Sequence, residues 1–250
     1  MSGPAVARSA RRPLDEGARP TDSRRRVTLA AATTAHAIAP ASVECGVDRV
    51  ELAPGASVLP RFAAPIDALL REGVEAITAS APFRHMQTPG GFTMAVAMTN
   101  FGPLGWVTDK RGYRYATLDP DSGLPWPALP EAFRALAVRA ARAAGFGDFE
   151  PDACLVNRYV PGARLSLHRD ADERDFGQPI VSVSLGLPAT FLFGGAKRSD
   201  PTVRVPLEHG DVVVWGGDAR MRYHGVLALK DGVDPLLGRQ RINLTFRKAA

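Results

Sequence analysis

The chain has 250 residues, 45% hydrophobic and 23% charged, values of a soluble globular protein with enough length for a substantial core. No run of about 18 strongly apolar residues occurs, which excludes a transmembrane helix on sequence grounds, and two cysteines, Cys45 and Cys154, exclude a disulfide framework or thiolate cluster. The net charge of +5 suggests nucleic-acid binding, but residues 1–26 carry seven Arg against Asp15, Glu16 and Asp22, leaving the body near neutral.

Residues 1–45 are rich in Ala, Arg, Pro and Thr and poor in large apolar side chains, so they are expected to form a disordered basic tail. Ser23-Arg24-Arg25-Arg26 faintly resembles a twin-arginine export signal, but the Ala/Thr-rich run after it is interrupted by His36. Non-specific attraction to nucleic acid is favoured over export as a role for the tail, and an extension without function is the remaining reading. Residues 47–62 read as short strands around the Pro54-Gly55 turn. A helix is predicted over 64–79 from Ile66, Leu69, Leu70, Val74 and Ile77, closed by Pro82. The turn Thr88-Pro89-Gly90-Gly91 precedes a strand over 92–99, and Tyr113 and Tyr115 alternate on a further strand. A second helix is predicted over 130–144, with Pro130 at its start, Gly145 past its end and an inner stripe of Phe133, Leu136, Ala137, Ala140 and Ala144.

From residue 153 onward the pattern is strand and turn: 154–160, 165–170, 180–187, 190–193, 203–207, 212–215, 223–229 and 242–247. Eight such strands predict a double-sheet jelly roll, or cupin-like barrel. The fold class is therefore α+β, mostly β. Residues 150–250 form the jelly-roll core, a double-stranded β-helix, and residues 46–149 form an N-terminal α/β lid integrated with it.

Three of these strands carry polar residues two apart, where a plain core would be apolar. Strand alternation places such pairs on one face. The pairs are Asn157 with Tyr159, His168 with Asp170, and the odd positions Arg241, Asn243, Thr245 and Arg247 of the last strand. Its even positions, Ile242, Leu244 and Phe246, should pack outward against a second layer. With His224, the residues His168 and Asp170 make two imidazoles and one carboxylate, the facial triad of non-heme Fe(II) oxygenases. Two inward arginines are costly unless paired, and a bound dicarboxylate that also chelates the metal would pair them. A lone His-x-Asp is a weak signal; each arginine taken alone fits an edge strand, and His224 beside Gly225 fits a turn. The combination carries the reading. His36, His85 and His209 are assigned to structure or solvent.

The stretches TPGGFTMAVAMTNFGPLGW (88–106), PDACLVNRY (151–159), PIVSVSLGLPATFLFGG (179–195), LEHGDVVVWGG (207–217), YHG (223–225) and NLTFR (243–247) resemble the AlkB family of Fe(II)- and 2-oxoglutarate-dependent repair dioxygenases. The resemblance implies Fe(II) on His168, Asp170 and His224, and 2-oxoglutarate among Asn157, Tyr159, Arg241, Asn243 and Arg247. Which arginine meets which carboxylate stays open. It implies that O2 and 2-oxoglutarate are consumed, with release of succinate, CO2 and formaldehyde as an N-methyl group leaves a base such as 1-methyladenine or 3-methylcytosine. Substrate contacts implied are Met98, Trp106, Tyr113, Arg114, Tyr115, Asp172 and Arg198, with Met98 and Tyr115 equally readable as core. Arg169 stands where the family usually has Gln and is expected to point away from iron; Arg164 keeps a phosphate-binding charge where Lys is common. The implied partner is alkylated DNA, single strands preferred, with RNA also open. The protein is expected to be a cytoplasmic monomer with no membrane association. Two other readings are a 2-oxoglutarate hydroxylase of proteins or small molecules, and a non-catalytic nucleic-acid-binding member.

Overall fold

A computed structural model describes residues 47–250 of the chain. The basic tail expected over 1–45, with Arg24–Arg26, His36 and Cys45, lies outside the described residues. Thirteen strands are described: β1 Val50–Ala53, β2 Ala56–Leu59, β3 Ala97–Phe101, β4 Gly105–Asp109, β5 Gly112–Ala116, β6 Ala153–Tyr159, β7 Leu165–His168, β8 Ile180–Gly186, β9 Ala189–Phe193, β10 Val203–Leu207, β11 Val212–Trp215, β12 His224–Val226 and β13 Arg241–Arg247. Two helices, α1 Asp67–Ser80 and α2 Glu131–Ala143, lie between β2 and β3 and between β5 and β6.

A seven-stranded sheet runs β1-β2-β11-β8-β13-β6-β3 and a four-stranded sheet runs β10-β9-β12-β7, with every neighbouring pair antiparallel. The double-sheet core is as expected, but its boundary is corrected: β1, β2 and β3, from the stretch expected to form the lid, complete the larger sheet by pairing with β11 and β6. The hairpin β4–β5 stands apart as a sheet of its own.

Both faces of the large sheet are covered, which is why β8 and β13 are buried at all seven positions. On β13 the even residues Ile242, Leu244 and Phe246 join the apolar core. The odd residues Arg241, Asn243, Thr245 and Arg247 line a cavity. The alternation thus sorts chemistry between two faces of one strand.

Helix α2 contacts β8 and β11 and buries Phe133, Leu136, Ala137, Ala140 and Ala141. It ends as predicted. Gly145 has φ of +96°, its N–H reaches Arg142 O at 2.9 Å, and Phe146 N reaches Ala141 O at 2.8 Å. Those two bonds satisfy carbonyls at the helix end, and only glycine adopts that φ without a Cβ penalty. Helix α1 is preceded by a 3-10 turn over Ala64–Ile66, where Pro65 withholds a backbone N–H. Leu70, Val74 and Ile77 are buried, but Leu69 is 51% exposed, correcting its place in the predicted stripe. A step of about 100° per residue carries Leu69 off the face that holds its neighbour Leu70.

Some boundaries also differ. The strand expected over 92–99 begins at Ala97, because residues 92–94 fold back on 86–88 through the Gln87–Thr93 bridge and Met94 N to Met86 O at 2.9 Å. Strand β7 stops at His168, so Asp170 sits in the loop that follows it.

Candidate active site

The site begins with a cross-strand pair. In the β7–β12 register His168 faces His224, which sets the imidazoles side by side with ring centroids 4.4 Å apart. Gly225 permits this closeness: a Cβ there would meet Leu165 O at 2.8 Å. The chain leaves β7 and returns Asp170 beneath the two rings. Its Oδ1 lies 3.7 Å from His168 Nε2, and its Oδ2 lies 3.8 Å from His224 Nε2. The three donor atoms lie within 4.8 Å of one another. Asp170 shares the side of His168, as expected, although a loop rather than a strand carries it.

The residues present fit a metal ion. Nδ1 of His168 is 2.9 Å from Ser166 O, and Nδ1 of His224 is 3.1 Å from Arg222 O. Each Nδ1–H therefore donates to a carbonyl, and each Nε2 lone pair is left facing Asp170. Burial, reinforced by the neighbouring His168, lowers His224 to about 3, so its imidazole is neutral and able to ligate. Burial opposes the ionised form of Asp170, but the adjoining Arg247 guanidinium overcomes it and holds its carboxyl below the usual range. The wall behind is aromatic: Trp215 and Phe191 have ring centroids 4.9 and 6.0 Å from that of His224.

A cavity of about 520 Å3 opens over the triad. The five residues expected to hold the cosubstrate, Asn157, Tyr159, Arg241, Asn243 and Arg247, all line it. Arg241 is 1% exposed and lies over the Tyr159 ring at 5.0 Å. One of its nitrogens, Nη2, reaches Ser184 Oγ at 3.0 Å, while Nε and Nη1 are buried without a partner. Asn157 Oδ1 is likewise unpartnered. Burial pulls Arg241 below its usual range, a cost that a bound anion would offset.

Arg247 differs, and the sequence reading of two unpaired arginines is corrected here. It donates Nε and Nη2 to Asp170 Oδ2 at 3.0 and 2.7 Å, and its Nε lies 3.3 Å from Glu173 Oε1. Its own strand has no acid. The partners come from the loop after β7, beyond the reach of a pattern read along one strand.

The implied substrate residues divide. Met98, Trp106, Tyr113, Asp172 and Arg198 line the cavity. Trp106 and Tyr113 stack with ring centroids 5.7 Å apart, and Trp106 Nε1 donates to Asp172 Oδ2 at 2.7 Å. Met98 is 2% exposed and also part of the core cluster. Arg114 and Tyr115 are not among the lining residues. Arg114 is spent on its own hairpin, donating Nη2 to Asp109 Oδ2 at 2.7 Å, and Tyr115 donates its hydroxyl to Glu173 Oε1 at 2.6 Å. Alternation explains Arg114: it points opposite to Tyr113 on β5.

Sequence reasoning missed Arg220, Glu173 and Trp215. Arg220 is 2% exposed and donates to Asp170 O at 2.9 Å, Glu173 Oε2 at 3.0 Å and Gln178 O at 3.1 Å. It thereby shapes the loop that presents Asp170. No local pattern marks it, since its partners lie over 40 residues away. Arg169 also lines the cavity, with its guanidinium over Tyr223 at 5.7 Å, and Arg164 lines the rim beside it. His209 is structural, as expected: it accepts from Gly186 N at 3.0 Å and lies 3.2 Å from Asp67.

Two imidazoles and a carboxylate at one end of a double-sheet β core define a mononuclear metal enzyme of the facial-triad class. A model of the 2OG-Fe(II) oxygenase superfamily matches residues 55–247. The alpha-ketoglutarate-dependent dioxygenase AlkB of Salmonella typhimurium is 58% identical over 199 residues, which is 80% of this chain and 92% of that protein. Its counterpart in Escherichia coli K12 is 58% identical over 198 residues, 79% of this chain and 92% of that protein. The solved structure of OsALKBH1 superposes with a TM-score of 0.69 at 30% identity, covering 80% of this chain and all of that one. The chain belongs to the 2OG-Fe(II) oxygenase superfamily and, within it, to the AlkB family of alpha-ketoglutarate-dependent dioxygenases. Its cofactor is Fe(II) and its cosubstrates are 2-oxoglutarate and O2.

Proposed function

We propose that this dioxygenase removes methyl groups from N-alkylated bases of the 1-methyladenine and 3-methylcytosine type. DNA is the main substrate, single strands preferentially, and RNA a further one. The observation that carries the reading is the make-up of one cavity: it is lined by the triad, by buried Arg241 with two unpartnered nitrogens, and by the more exposed Trp106, Tyr113 and Asp172, which form its mouth in this reading. Such a mouth suits a base taken out of a strand, since aromatic faces stack on it and a carboxylate favours the positive charge that methylation confers. The relatives named as alpha-ketoglutarate-dependent dioxygenase AlkB support the dioxygenase chemistry.

When bound, Fe(II) with 2-oxoglutarate and O2 supplies the oxidation, which puts one oxygen atom on the methyl carbon and the other into succinate as CO2 leaves. The hydroxymethylated base then releases formaldehyde and a proton, which restores the lone pair on its ring nitrogen. In this reading His168, Asp170 and His224 ligate the metal through two neutral nitrogens and one ionised carboxylate. Arg241 takes the carboxylate of 2-oxoglutarate remote from the metal, since its Nε and Nη1 are buried with no other acceptor. Arg247 acts nearer the metal, holding Asp170 ionised. Asn157, Tyr159 and Asn243 complete the pocket wall. Phe191 and Trp215 exclude water behind His224. Trp106 and Tyr113 stack the base, Asp172 accepts from its exocyclic amine, Met98 packs beneath, and Arg164, Arg169 and Arg198 meet phosphates at the rim. Among the described residues no helix is long and apolar enough to cross a membrane, and the reading places a monomeric enzyme in the cytoplasm.

The test incubates the protein with Fe(II), 2-oxoglutarate and a single-stranded oligonucleotide carrying 1-methyladenine. Loss of one methyl group by mass and release of formaldehyde are expected. Consumption of 2-oxoglutarate with the base left methylated would overturn the substrate assignment.

A further inference from the structure

Trp106 and Tyr115 are cross-strand partners on the β4–β5 hairpin. Their polar ends reach adjacent residues of the loop that carries Asp170. Trp106 Nε1 donates to Asp172, and Tyr115 Oη donates to Glu173. The two attachments are built differently. Asp172 is exposed, so its bond to the indole competes with water. The Glu173 side chain is 2% exposed and sits among groups that themselves hold Asp170.

Glu173 Oε2 accepts from Arg220, whose other nitrogen donates to the backbone carbonyl of Asp170. Glu173 Oε1 receives Tyr115 and lies beside Arg247, whose Nε and Nη2 both donate to Asp170 Oδ2. Two carboxylates and two guanidiniums are thus buried as one balanced cluster, and Tyr115 joins the hairpin to it. Removing one member of such a cluster leaves a charge uncompensated, so its bonds persist while an exposed one exchanges.

We propose that Tyr115 and Glu173 are positioning residues that couple the β4–β5 hairpin to the metal carboxylate. The Trp106–Asp172 bond is a latch that opens when a base enters between the two side chains, and Tyr115–Glu173 is the hinge about which the hairpin then turns. The strain reaches Asp170 through Arg247 and Arg220. Occupation of the cavity mouth therefore alters how tightly the triad holds its metal, and by linkage the metal alters affinity for the strand. The inference rests on the demethylase reading for the identity of what enters the mouth, but not for the hold of Glu173 on Asp170.

The experiment uses the full chain and Co(II) without oxygen, titrated by visible absorption with and without a single-stranded oligonucleotide carrying 1-methyladenine. In the parent, the oligonucleotide is expected to shift Co(II) affinity severalfold. Tyr115→Phe, which keeps the ring and removes one hydrogen bond, is expected to abolish that shift. Glu173→Gln, which keeps the shape and removes the charge, is expected to weaken Co(II) binding roughly 10-fold or more with or without oligonucleotide, the usual scale for residues behind a metal ligand. Thermal melting of each variant checks that it folds. A Tyr115→Phe protein that retains the parent's shift, or a Glu173→Gln protein that binds Co(II) as the parent does, overturns the proposal. A parent that demethylates the oligonucleotide but shows no shift overturns the coupling while leaving the function standing. If the parent fails to demethylate, the function fails, and Glu173→Gln still decides whether Glu173 holds the metal carboxylate.

Discussion

Arg241 and Arg247 occupy the same face of one strand, yet the groups around them give them different work. Arg247 has both Asp170 and Glu173 within 3.3 Å, whereas Arg241 has two buried N–H groups and no acid. Arg241→Lys keeps the charge but loses the planar fork. A hydrogen bond to a charged group is worth about 1.5–3 kcal/mol, so the KM for 2-oxoglutarate is expected to rise roughly 10- to 100-fold. A cosubstrate titration of the variant checks this, and an unchanged KM removes Arg241 from the cosubstrate site. Asp172→Ala should still turn over 2-oxoglutarate while its ranking of methylated bases changes. Assays across a panel of lesions decide, and an identical ranking places Asp172 outside base recognition. Cys154 is fully buried and its thiol is pushed well above the usual range by desolvation, so it should resist iodoacetamide at pH 8 until the fold opens. Peptide mapping with and without denaturant reads this, and native labelling of Cys154 would contradict the burial.

At the scale of elements, the triad depends on how closely β12 lies against β7. His224 can face His168 because Gly225 brings no Cβ to the Leu165 carbonyl. Gly225→Ala must push the strands apart, and metal affinity is expected to fall at least roughly 10-fold, the scale on which displaced ligands are felt. Anaerobic Co(II) titration measures it, and parental affinity would show that the strands absorb the methyl group. Helix α2 matters in another way. Its Phe133 is 1% exposed and packs edge-on to Phe101 of β3 with centroids 5.2 Å apart. Phe133→Ala should cost about 3–5 kcal/mol of stability. Urea unfolding of the variant checks the magnitude, and a loss under 1 kcal/mol would mean that the site collapses to fill the void.

At the scale of the whole molecule, burying His224 and Asp170 makes the stability of the metal-free protein depend on pH. His224 titrates at about 3 in the fold against 6.5 for the free side chain. Between those values the unfolded chain binds more protons, so stability falls as pH drops from about 6.5 toward 3. Asp170, lowered from 3.8, adds a loss of the same sign below that value. Urea midpoints of the metal-free protein at pH 7 and pH 5 should differ in that direction, and His224→Gln should flatten the difference. Equal slopes in parent and variant would assign the pH dependence to other groups.

What the sequence determined by itself is whatever repeats along one element. The 3.6-residue stripe of α2, the glycine at its end, the two-residue alternation of β13 and the polar faces of β6 and β13 were legible because each depends on neighbours a few residues away. His168 and Asp170 were legible as a pair for the same reason, and the family stretches joined them to His224. Tertiary structure alone decided the partners. It gave Arg247 to Asp170 and Glu173, turned Arg114 to Asp109, anchored Tyr115 to Glu173, and set Arg220 beneath the metal carboxylate. Each of those choices except the local Arg114–Asp109 pair joins residues more than 40 positions apart, across a loop and between sheets. The charge of a side chain is written in the sequence, but which opposite charge neutralises it depends on distance in space, and the fold sets that distance.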